Sequence, residues 1–416
     1  MSSIAPGSRL RGRLAGVLQA IRGNPTLAAI SAEGFLTRLG FGMVSFALPL
    51  FALHLGMSLT EVGALYALNG VTVLAVKPLM GWAADRFGRK RTLVFAVAMR
   101  CVVGVSFIFA FLPWHLYAIR ILQGVMTAAR DPSASALIAV HGKKKSMASA
   151  FAWYYTARDV GHSLGAAAAG LLIAATGDYR LVFAAAFATS CVALASVIRY
   201  VRETPAAKAE SAEHAAVELE PLTARSFREV YAPLLPYFGF GLMVSLTAEM
   251  MRGIFPIVAV HYGHLTVAEA GIAASLSSIA ILTAGPAFAW LSDNFHRGVG
   301  LTTRSVANGA SSLIYIFWPG FAGFATGRIL DDAGKAAFRP SWGATLAEVA
   351  NADPHRRARI MAFLDLAWNL GEIGGPLVAG ALMAGFGVPL MLGVRAALSL
   401  VTEGYAMVLF RHRERG

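Results

Sequence analysis

The stretch GWAADRFGRKR, Gly81 to Arg91, lies between two long apolar runs and concentrates charge within a hydrophobic chain. It holds one acid, four basic residues and two glycines. Of the 416 residues in the chain, 56% are hydrophobic and only 14% are charged, whereas an ordinary soluble domain carries about 25% charged residues. The composition therefore predicts a protein whose solvent is largely lipid, with this stretch as a loop between two spans.

Apolar runs long enough to cross a bilayer, ~20 residues each, recur along the whole chain. Helices are the expected form because backbone groups in lipid must be hydrogen-bonded within their own segment. The ten-residue alternation of a β-barrel is not seen in the sequence. We predict an all-α integral membrane protein with twelve spans: 28–54, 59–82, 92–112, 114–140, 147–176, 179–200, 230–262, 267–291, 300–318, 320–349, 357–385 and 388–410.

The net charge of +13 is distributed in a way that argues against nucleic-acid binding. Lys and Arg crowd the termini and the even-numbered connections, as in Lys143 to Lys145, whereas the odd-numbered connections are nearly bare apart from Arg180. Positive residues mark the cytoplasmic loops of membrane proteins. We therefore expect both termini in the cytoplasm, and we expect the protein to lie in a bacterial inner membrane or a membrane derived from it.

The domain prediction divides the chain into two bundles of six helices each. The linker between them is rich in Ala and Glu and contains Pro205 and Pro221, which favours a cytoplasmic connection. The predicted segments are a basic amphipathic cytoplasmic N-terminus (1–27), the N-terminal bundle (28–200), the linker (201–229), the C-terminal bundle (230–410) and a cytoplasmic tail (411–416).

The two bundles are copies of one unit. RILQGVMTAARDPSASA (120–136) and RILDDAGKAAFRPSWGA (328–344) agree at eight of seventeen positions. GWAADRFGR (81–89) aligns with AWLSDNFHR (289–297) at the same offset of 208, since 289 minus 81 is 208. Because the copies keep the same sidedness, they are parallel repeats related by an axis along the membrane normal.

Twelve spans arranged as six plus six, a middle linker and a G-x-x-x-D-R-x-G-R-K loop resemble the major facilitator superfamily of secondary transporters. The R-x-x-Q-G pattern of its fourth helix matches Arg120, Gln123 and Gly124. The resemblance implies that the loop acts as a cytoplasmic latch between the halves in one conformational state. The residues placed in this latch are Gly81, Asp85, Arg86, Gly88 and Arg89, with Asp293 and Arg297 in the second copy.

Charged residues inside spans are costly in lipid and indicate function by default. Arg38, Lys77, Arg100 and Arg120 have no opposite charge three or four residues away, whereas Arg328 can pair with Asp332 and Glu249 with Arg252. The candidate proton carriers are Glu33, Asp159, Glu249, Asp365 and Glu372. The predicted substrate and proton pathway comprises Arg38, Lys77, Arg120, Gln123, Asp159, His162, Arg328, Asp331 and Glu372.

Other signals bear on what drives the protein and what binds to it. No nucleotide-binding motif is present, and Cys101 and Cys191 lie in separate apolar runs. We therefore expect no enzyme activity, no cofactor and no metal site, and we interpret the cysteines as packing residues. Span 5 carries a glycine ladder like that of antiporters, but it lacks the expected Gly-Pro pair at Gly165–Ala166, so antiport stays open.

The functional prediction is a secondary active transporter that moves a small solute by alternating access, coupled to protons. The alternative is a transport-inactive membrane scaffold or sensor with the same fold. A scaffold would be free to lose charges from its spans, and their retention favours the transporter. The expected partners are a small-molecule substrate, H⁺ and the lipid bilayer, with the chain as a monomer.

Overall fold

A computed structural model of the chain describes residues 25–141, 147–201, 231–276, 278, 298–351 and 356–413. These residues form helices joined by short connections. We call residues 25–201 the N-half and residues 231–413 the C-half, and the N-half holds six helices. Helices α1 to α6 are Pro25–His54, Leu59–Phe87, Arg89–Ile108, Pro113–His141, Met147–Thr176 and Tyr179–Tyr200. Their order matches the first six predicted spans.

The C-half repeats this order. Helices α7 to α12 are Leu235–Arg252, Val267–Ser275, Gly298–Phe317, Phe321–Asn351, Arg357–Phe386 and Val388–Arg413. The part of the eighth predicted span beyond Ser278 lies outside the described residues. So do residues 1–24 and 202–230, which hold most of the predicted N-terminal segment and linker, and the domain boundaries therefore remain predictions.

Only some of these helices are apolar enough to be identified as spans from composition. In the described part of the chain, six regions meet that test: Ala28–His54, Leu59–Ala84, Lys90–Ile108, Tyr179–Tyr200, Ala232–Arg252 and Val388–Leu409. Helix α10 carries Arg328, Asp331, Asp332 and Lys335 close together. Charges of this kind lower the hydropathy of a helix that nevertheless packs within the same bundle.

The duplication is visible in the helix starts as well as in the sequence. Ser58 caps α2, with its hydroxyl accepting from Glu61 N while the Glu61 carboxylate accepts from Ser58 N at 2.7 Å. Thr266 and Glu269 form the same capping box at the start of α8, where Thr266 N donates to Glu269 at 2.9 Å. Both pairs are 208 residues apart in the sequence, so the repeat extends to the hydrogen bonds that begin equivalent helices.

The bundle has two faces, which we name by their connections. The odd-loop face carries the odd-numbered connections, such as α1–α2 and α5–α6. The even-loop face carries the even-numbered connections, such as α2–α3. The halves contact each other through α2 against α11 and through α5 against α8. Both contacts lie near the odd-loop face, because α2 and α8 begin there and α5 and α11 end there.

Four glycines allow this approach between the halves. A Cβ on Gly63 of α2 would lie 2.5 Å from the Pro376 carbonyl oxygen of α11, and one on Gly380 would lie 2.6 Å from the Leu59 carbonyl oxygen. In the symmetry-related contact, a Cβ on Gly170 or Gly271 would lie 2.9 Å from the Cα of the other glycine. Small residues let helices in lipid come into backbone contact, so the halves are tightly joined at the odd-loop face.

The two cysteines, predicted as packing residues of separate spans, meet in the folded chain. Cys101 lies on α3 and Cys191 on α6, and their sulfur atoms are 3.9 Å apart. Both cysteines are unbonded and only partly buried.

Candidate functional site

A cavity of about 290 Å³ lies between the halves at the middle of the bundle. Its size is close to the lower end of pockets that hold drug-sized molecules, about 300–1,000 Å³. Helices α1 to α5 of the N-half and α7 and α11 of the C-half contribute its walls. Its charged and amide side chains are Arg38, Asn69, Lys77, Arg100, Arg120, Gln123, Arg130, Arg158, Glu249, Arg252, Asn369 and Glu372.

Arg120 of α4 is a buried cation of the N-half wall that is held by neutral partners. Its Nε donates to the Leu65 carbonyl oxygen at 3.0 Å, and its Nη1 donates to Gln123 Oε1 at 2.6 Å. Its guanidinium carbon lies 4.6 Å from the ring centre of Tyr66. Neither of the two acceptors is a carboxylate, and within the described residues no ion pair neutralises this guanidinium. The Arg and Gln of the R-x-x-Q-G pattern are therefore direct partners.

Arg38 and Arg100 share the ring of Phe41. Their guanidinium carbons lie 5.1 Å and 5.9 Å from the ring centre, which is within the range of cation–π attraction. Arg100 also donates to the Thr37 carbonyl oxygen at 2.9 Å. Arg100 comes from α3, and it also lines the cavity.

Glu33 is a structural acid of the N-half. It is fully buried, and its carboxylate accepts hydrogen bonds from Nε and Nη2 of Arg130 at 2.9 and 2.8 Å. Thr37 Oγ1 donates a third hydrogen bond to it at 2.8 Å. A bidentate pair of this kind joins α1 to α4. Glu33 is therefore bound to a fixed cation within one half of the bundle.

Helix α7 is interrupted beside the cavity. It ends at Arg252, and the chain continues through a short helical turn, Phe255–Ile257, and a π-turn, Val258–Tyr262. A Cβ at Gly253 would lie 2.9 Å from the Tyr66 ring, so this glycine lets the break pack against α2. Broken helices at the midplane are where transporters place binding groups.

The break presents a cation between two acids on the C-half wall. Arg252 Nη1 lies 2.9 Å from Glu249 Oε1 and 3.9 Å from Glu372 Oε1. Trp368 Nε1 donates to the same Glu372 oxygen at 3.1 Å. The predicted Glu249–Arg252 pair is therefore present, and Glu372 of α11 lies beside it on the cavity wall.

A second charged cluster is buried within the C-half, away from the described cavity lining. Arg395 of α12 is fully buried and donates to Asp331 Oδ1 at 3.0 Å, to the Thr247 carbonyl oxygen at 2.7 Å and to Asn308 Oδ1 at 3.2 Å. Arg304 Nη1 lies 3.7 Å from Asp331 Oδ1. The structure thus pairs Asp331 with two arginines from other helices instead of with Lys335 on its own helix.

Three further predicted pathway residues do not line the described cavity. Arg328 Nε pairs with Asp332 Oδ2 at 2.9 Å, as its spacing predicts, and its guanidinium lies over Phe255. The imidazole of His162 lies against Phe41 at 5.7 Å between ring centres. Asp159 of α5 accepts from Arg339 Nη1 of α10 at 3.1 Å, so this pair connects the two halves.

The predicted latch is only partly described. Gly88 joins α2 to α3 with φ of 99°, a conformation that favours glycine over other residues. The guanidinium carbon of Arg86 lies 5.8 Å from the Trp82 ring centre, and a Cβ at Gly81 would meet no atom within 4 Å. The side chains of Asp85 and Arg89 and the whole of Asp293 and Arg297 lie outside the described residues.

Three buried arginines were missed by the sequence reasoning, namely Arg130, Arg304 and Arg395. Each lies in an apolar helix with no acid three or four residues away. The same pattern, a cation in an apolar segment without an acid at that spacing, also marks Arg38 and Arg120, so the sequence does contain a signal for these three arginines. Their partners come from other helices, which the local sequence does not reveal.

Comparisons with known proteins agree with this architecture. The profile of the Major Facilitator Superfamily matches residues 32–263 and 237–416. The chain is 28% identical over 264 residues to Multidrug resistance protein 1 of Bacillus subtilis (strain 168), covering 64% of each chain. It is 24% identical over 405 residues to Multidrug resistance protein MdtG of Proteus mirabilis (strain HI4320), covering 92% of this chain and 94% of that protein.

Some of the matches are partial. The chain spans 64% of the Bacillus protein and 29% of a Multidrug resistance protein MdtG of Dickeya zeae (strain Ech586), less than two thirds of either. Among solved structures, the nucleoside transporter NupG superposes with a TM-score of 0.75 at 13% identity, covering 92% of this chain and 99% of that one. A bacterial homologue of the lysosomal transporter Spinster gives a TM-score of 0.70 at 16% identity, covering 92% and 96%. At these identities the solved structures show the fold alone.

Proposed function

The chain belongs to the major facilitator superfamily of membrane transporters, and from this premise we propose that it moves a small solute by alternating access, driven by protons. The observation that carries this proposal is the charged cavity enclosed between two repeated halves. The halves are packed together at the odd-loop face, as a transporter with one side closed requires. A cavity between repeats near the midplane is where such proteins bind their cargo.

The orientation follows from the distribution of positive charge. Lys143 to Lys145 and Arg356 lie in even-numbered connections, so we place the even-loop face and both termini in the cytoplasm. The glycine-packed odd-loop face then points outward. In this arrangement the outer side is closed and the cavity serves the cytoplasmic side. A reporter that is active only outside the membrane, fused after Gly416, should stay silent, and a signal from it would reverse this orientation.

We propose Glu372 as the proton carrier and Arg252 as the cation that responds to it. Arg252 lies 2.9 Å from Glu249 and 3.9 Å from Glu372, so it holds Glu249 firmly and Glu372 loosely. A proton on Glu372 would cancel the longer contact and leave the shorter one. Glu372 is also partly exposed to the cavity, with 38% of its side chain accessible, which gives a proton a route to it.

Asp159 is the second proposed acid, and it acts at the contact between the halves. Its ion pair with Arg339 joins α5 to α10, so a proton on Asp159 would remove one attraction between the halves. Such a step changes the relative free energies of the two conformations, which is what coupling requires. The described hydrogen-bond partners of Arg120 are neutral. We therefore propose that Arg120 contacts the substrate and does not pair with either acid.

Reconstituted vesicles with an imposed pH gradient test this function, using a substrate first identified by ligand stabilisation of the purified protein. A protonophore should abolish accumulation, and Arg120→Ala should abolish transport. Asp159→Asn and Glu372→Gln should leave downhill exchange but not accumulation. Asp365 is another candidate carrier on the same helix, but it lies outside the described lining. Because the proposal assigns the proton to Glu372, Asp365→Asn should still accumulate substrate. Accumulation that follows a sodium gradient and ignores pH would refute proton coupling.

A further inference from the structure

The first helix of each half has a proline at an equivalent position of the repeat. Pro49 and Pro256 begin the matching stretches PLFALHLG and PIVAVHYG, and they lie 207 residues apart, since 256 minus 49 is 207. A proline lacks the backbone N–H, and its ring clashes with the carbonyl group four residues earlier, so it kinks or breaks a helix. The two prolines have different outcomes. Helix α1 runs past Pro49 without a break, whereas α7 ends at Arg252, four residues before Pro256.

A side chain from α2 replaces the hydrogen bond that α1 loses. The carbonyl group that Pro49 deprives of its helical donor is that of Ser45, four residues earlier. Tyr66 donates its hydroxyl hydrogen to the Ser45 carbonyl oxygen at 3.2 Å. Proline is tolerated in membrane helices when a neighbouring helix bonds the freed backbone group in this way. Tyr66 therefore supplies the donor that Pro49 lacks.

The C-half has no hydroxyl at the position of Tyr66. The offset of 208 that relates the capping boxes of α2 and α8 places Ala274 there, since 66 plus 208 is 274. A methyl group cannot donate a hydrogen bond to the carbonyl oxygen of Arg252, and Gly253 weakens the helix further. The chain leaves the helix at this point and resumes it at Phe255. The copy with the tyrosine is continuous, and the copy with the alanine is broken.

The same tyrosine also contacts the break in α7. A Cβ on Gly253 would lie 2.9 Å from two atoms of the Tyr66 ring, so the ring rests on the backbone of the break. The turn that follows, Phe255–Ile257, contacts α1. Tyr66 and Ser45 both line the cavity. The end of the cavity toward the odd-loop face is therefore closed by a continuous α1 that packs against the broken segment of α7, and Tyr66 touches both.

We propose that α1 has a hinge at Ser45–Pro49 and that the Tyr66 hydroxyl is the positioning group that holds it continuous while the odd-loop face is closed. When that face opens, Gly253 withdraws from the Tyr66 ring, the hydroxyl leaves the Ser45 carbonyl oxygen, and α1 bends at Pro49. A bond made in only one conformation shifts the balance between the two by its full worth. The role in opening rests on the proposed alternating access, whereas the hinge itself does not.

Two readouts on the full-length protein in lipid nanodiscs test the hinge. Amide hydrogen exchange of residues 45–54 reports local opening of α1. The distance between spin labels at His54 and His261 reports the odd-loop face, because these positions lie near it in opposite halves. Tyr66→Phe keeps the ring and removes the hydroxyl. It should raise the exchange of residues 45–54 and lower the ratio of closed to open odd-loop face by about 2-fold to 12-fold, the worth of one neutral hydrogen bond.

A second substitution tests whether the hydroxyl acts by replacing the missing backbone donor. Pro49→Ala restores the N–H, so adding Tyr66→Phe to that variant should change neither readout. Tyr405→Phe is the matched control, because the Tyr405 hydroxyl donates to the Pro236 carbonyl oxygen at 3.1 Å within the C-half. This control removes a bond of the same kind and should leave the exchange of residues 45–54 unchanged.

The hinge is refuted if Tyr66→Phe leaves the exchange of residues 45–54 unchanged, or if Pro49→Ala does not suppress its effect. A Tyr66→Phe variant that fails to fold and that Pro49→Ala does not restore also refutes it. Raised exchange with unchanged label distances would overturn the role of the hinge in opening. Vesicles that show no proton-driven accumulation would refute the proposed function and leave the hinge intact.

Discussion

Replacing Gly63 by Ala should open the odd-loop face. The new Cβ would lie 2.5 Å from the Pro376 carbonyl oxygen, whereas ordinary contact begins at 3.4 Å, so α2 and α11 must separate by about 0.9 Å, which is 3.4 minus 2.5. Overpacking of this kind costs about 1–3 kcal/mol. The gain in helix propensity on replacing Gly by Ala, up to about 1 kcal/mol, is present in both conformations and cancels. The population ratio of closed to open odd-loop face should therefore fall by about 5-fold to 150-fold.

Spin labels on the two halves can report this shift. His54 and His261 are both exposed and lie in opposite halves near the odd-loop face. Labels at these positions, in a variant in which Cys101 and Cys191 are replaced by Ala, give a distance distribution by pulsed electron paramagnetic resonance in lipid nanodiscs. Gly63→Ala should add or enlarge a population at longer distance.

A control variant and a double variant test whether the glycine contacts cause the shift. Gly393→Ala places a methyl group where no atom lies within 4 Å, so its distance distribution should match that of the unsubstituted chain. Gly271→Ala acts on the other interhelical contact, and combining it with Gly63→Ala should add the two free energies because the sites share no partner. If the double variant has the same distribution as Gly393→Ala, the glycine contacts do not hold the face closed.

Three further predictions concern charged residues. Arg395→Met should lower the free energy of unfolding by about 3–5 kcal/mol, because it leaves Asp331 with a buried and poorly compensated charge; a denaturation midpoint unchanged from that of the unsubstituted chain would contradict the pairing. A double-mutant cycle on Asp159→Asn and Arg339→Gln, scored by the same spin-label distances, should give a coupling of about 0.2–1 kcal/mol, as partly exposed pairs do, and zero coupling would remove the pair from the mechanism. Asp85→Asn should shift the balance between open and closed even-loop faces without affecting insertion, and unchanged cysteine labelling at that face would make Asp85 an ordinary loop acid.

The sequence alone determined the helical membrane architecture, because hydropathy and charge act locally and repeat over long segments. Apolar runs predicted the helices in the right order, and the offset of 208 residues predicted the duplication that the capping boxes of Ser58 and Thr266 confirm. Pairs along one helix, such as Arg328 with Asp332, also followed from spacing. The two-residue break after α7 was not predicted, since Gly253 and Pro256 do not reveal by themselves that the Tyr66 ring packs there.

Only the tertiary structure decided which charges face the cavity. Arg120 and Glu372 line it, whereas Asp331 is bound by Arg395 and Arg304 inside the C-half. These partners lie on other helices and far away in sequence, so no local pattern contains the pairing. Which charged residues line the cavity is therefore decided by how the helices pack against one another.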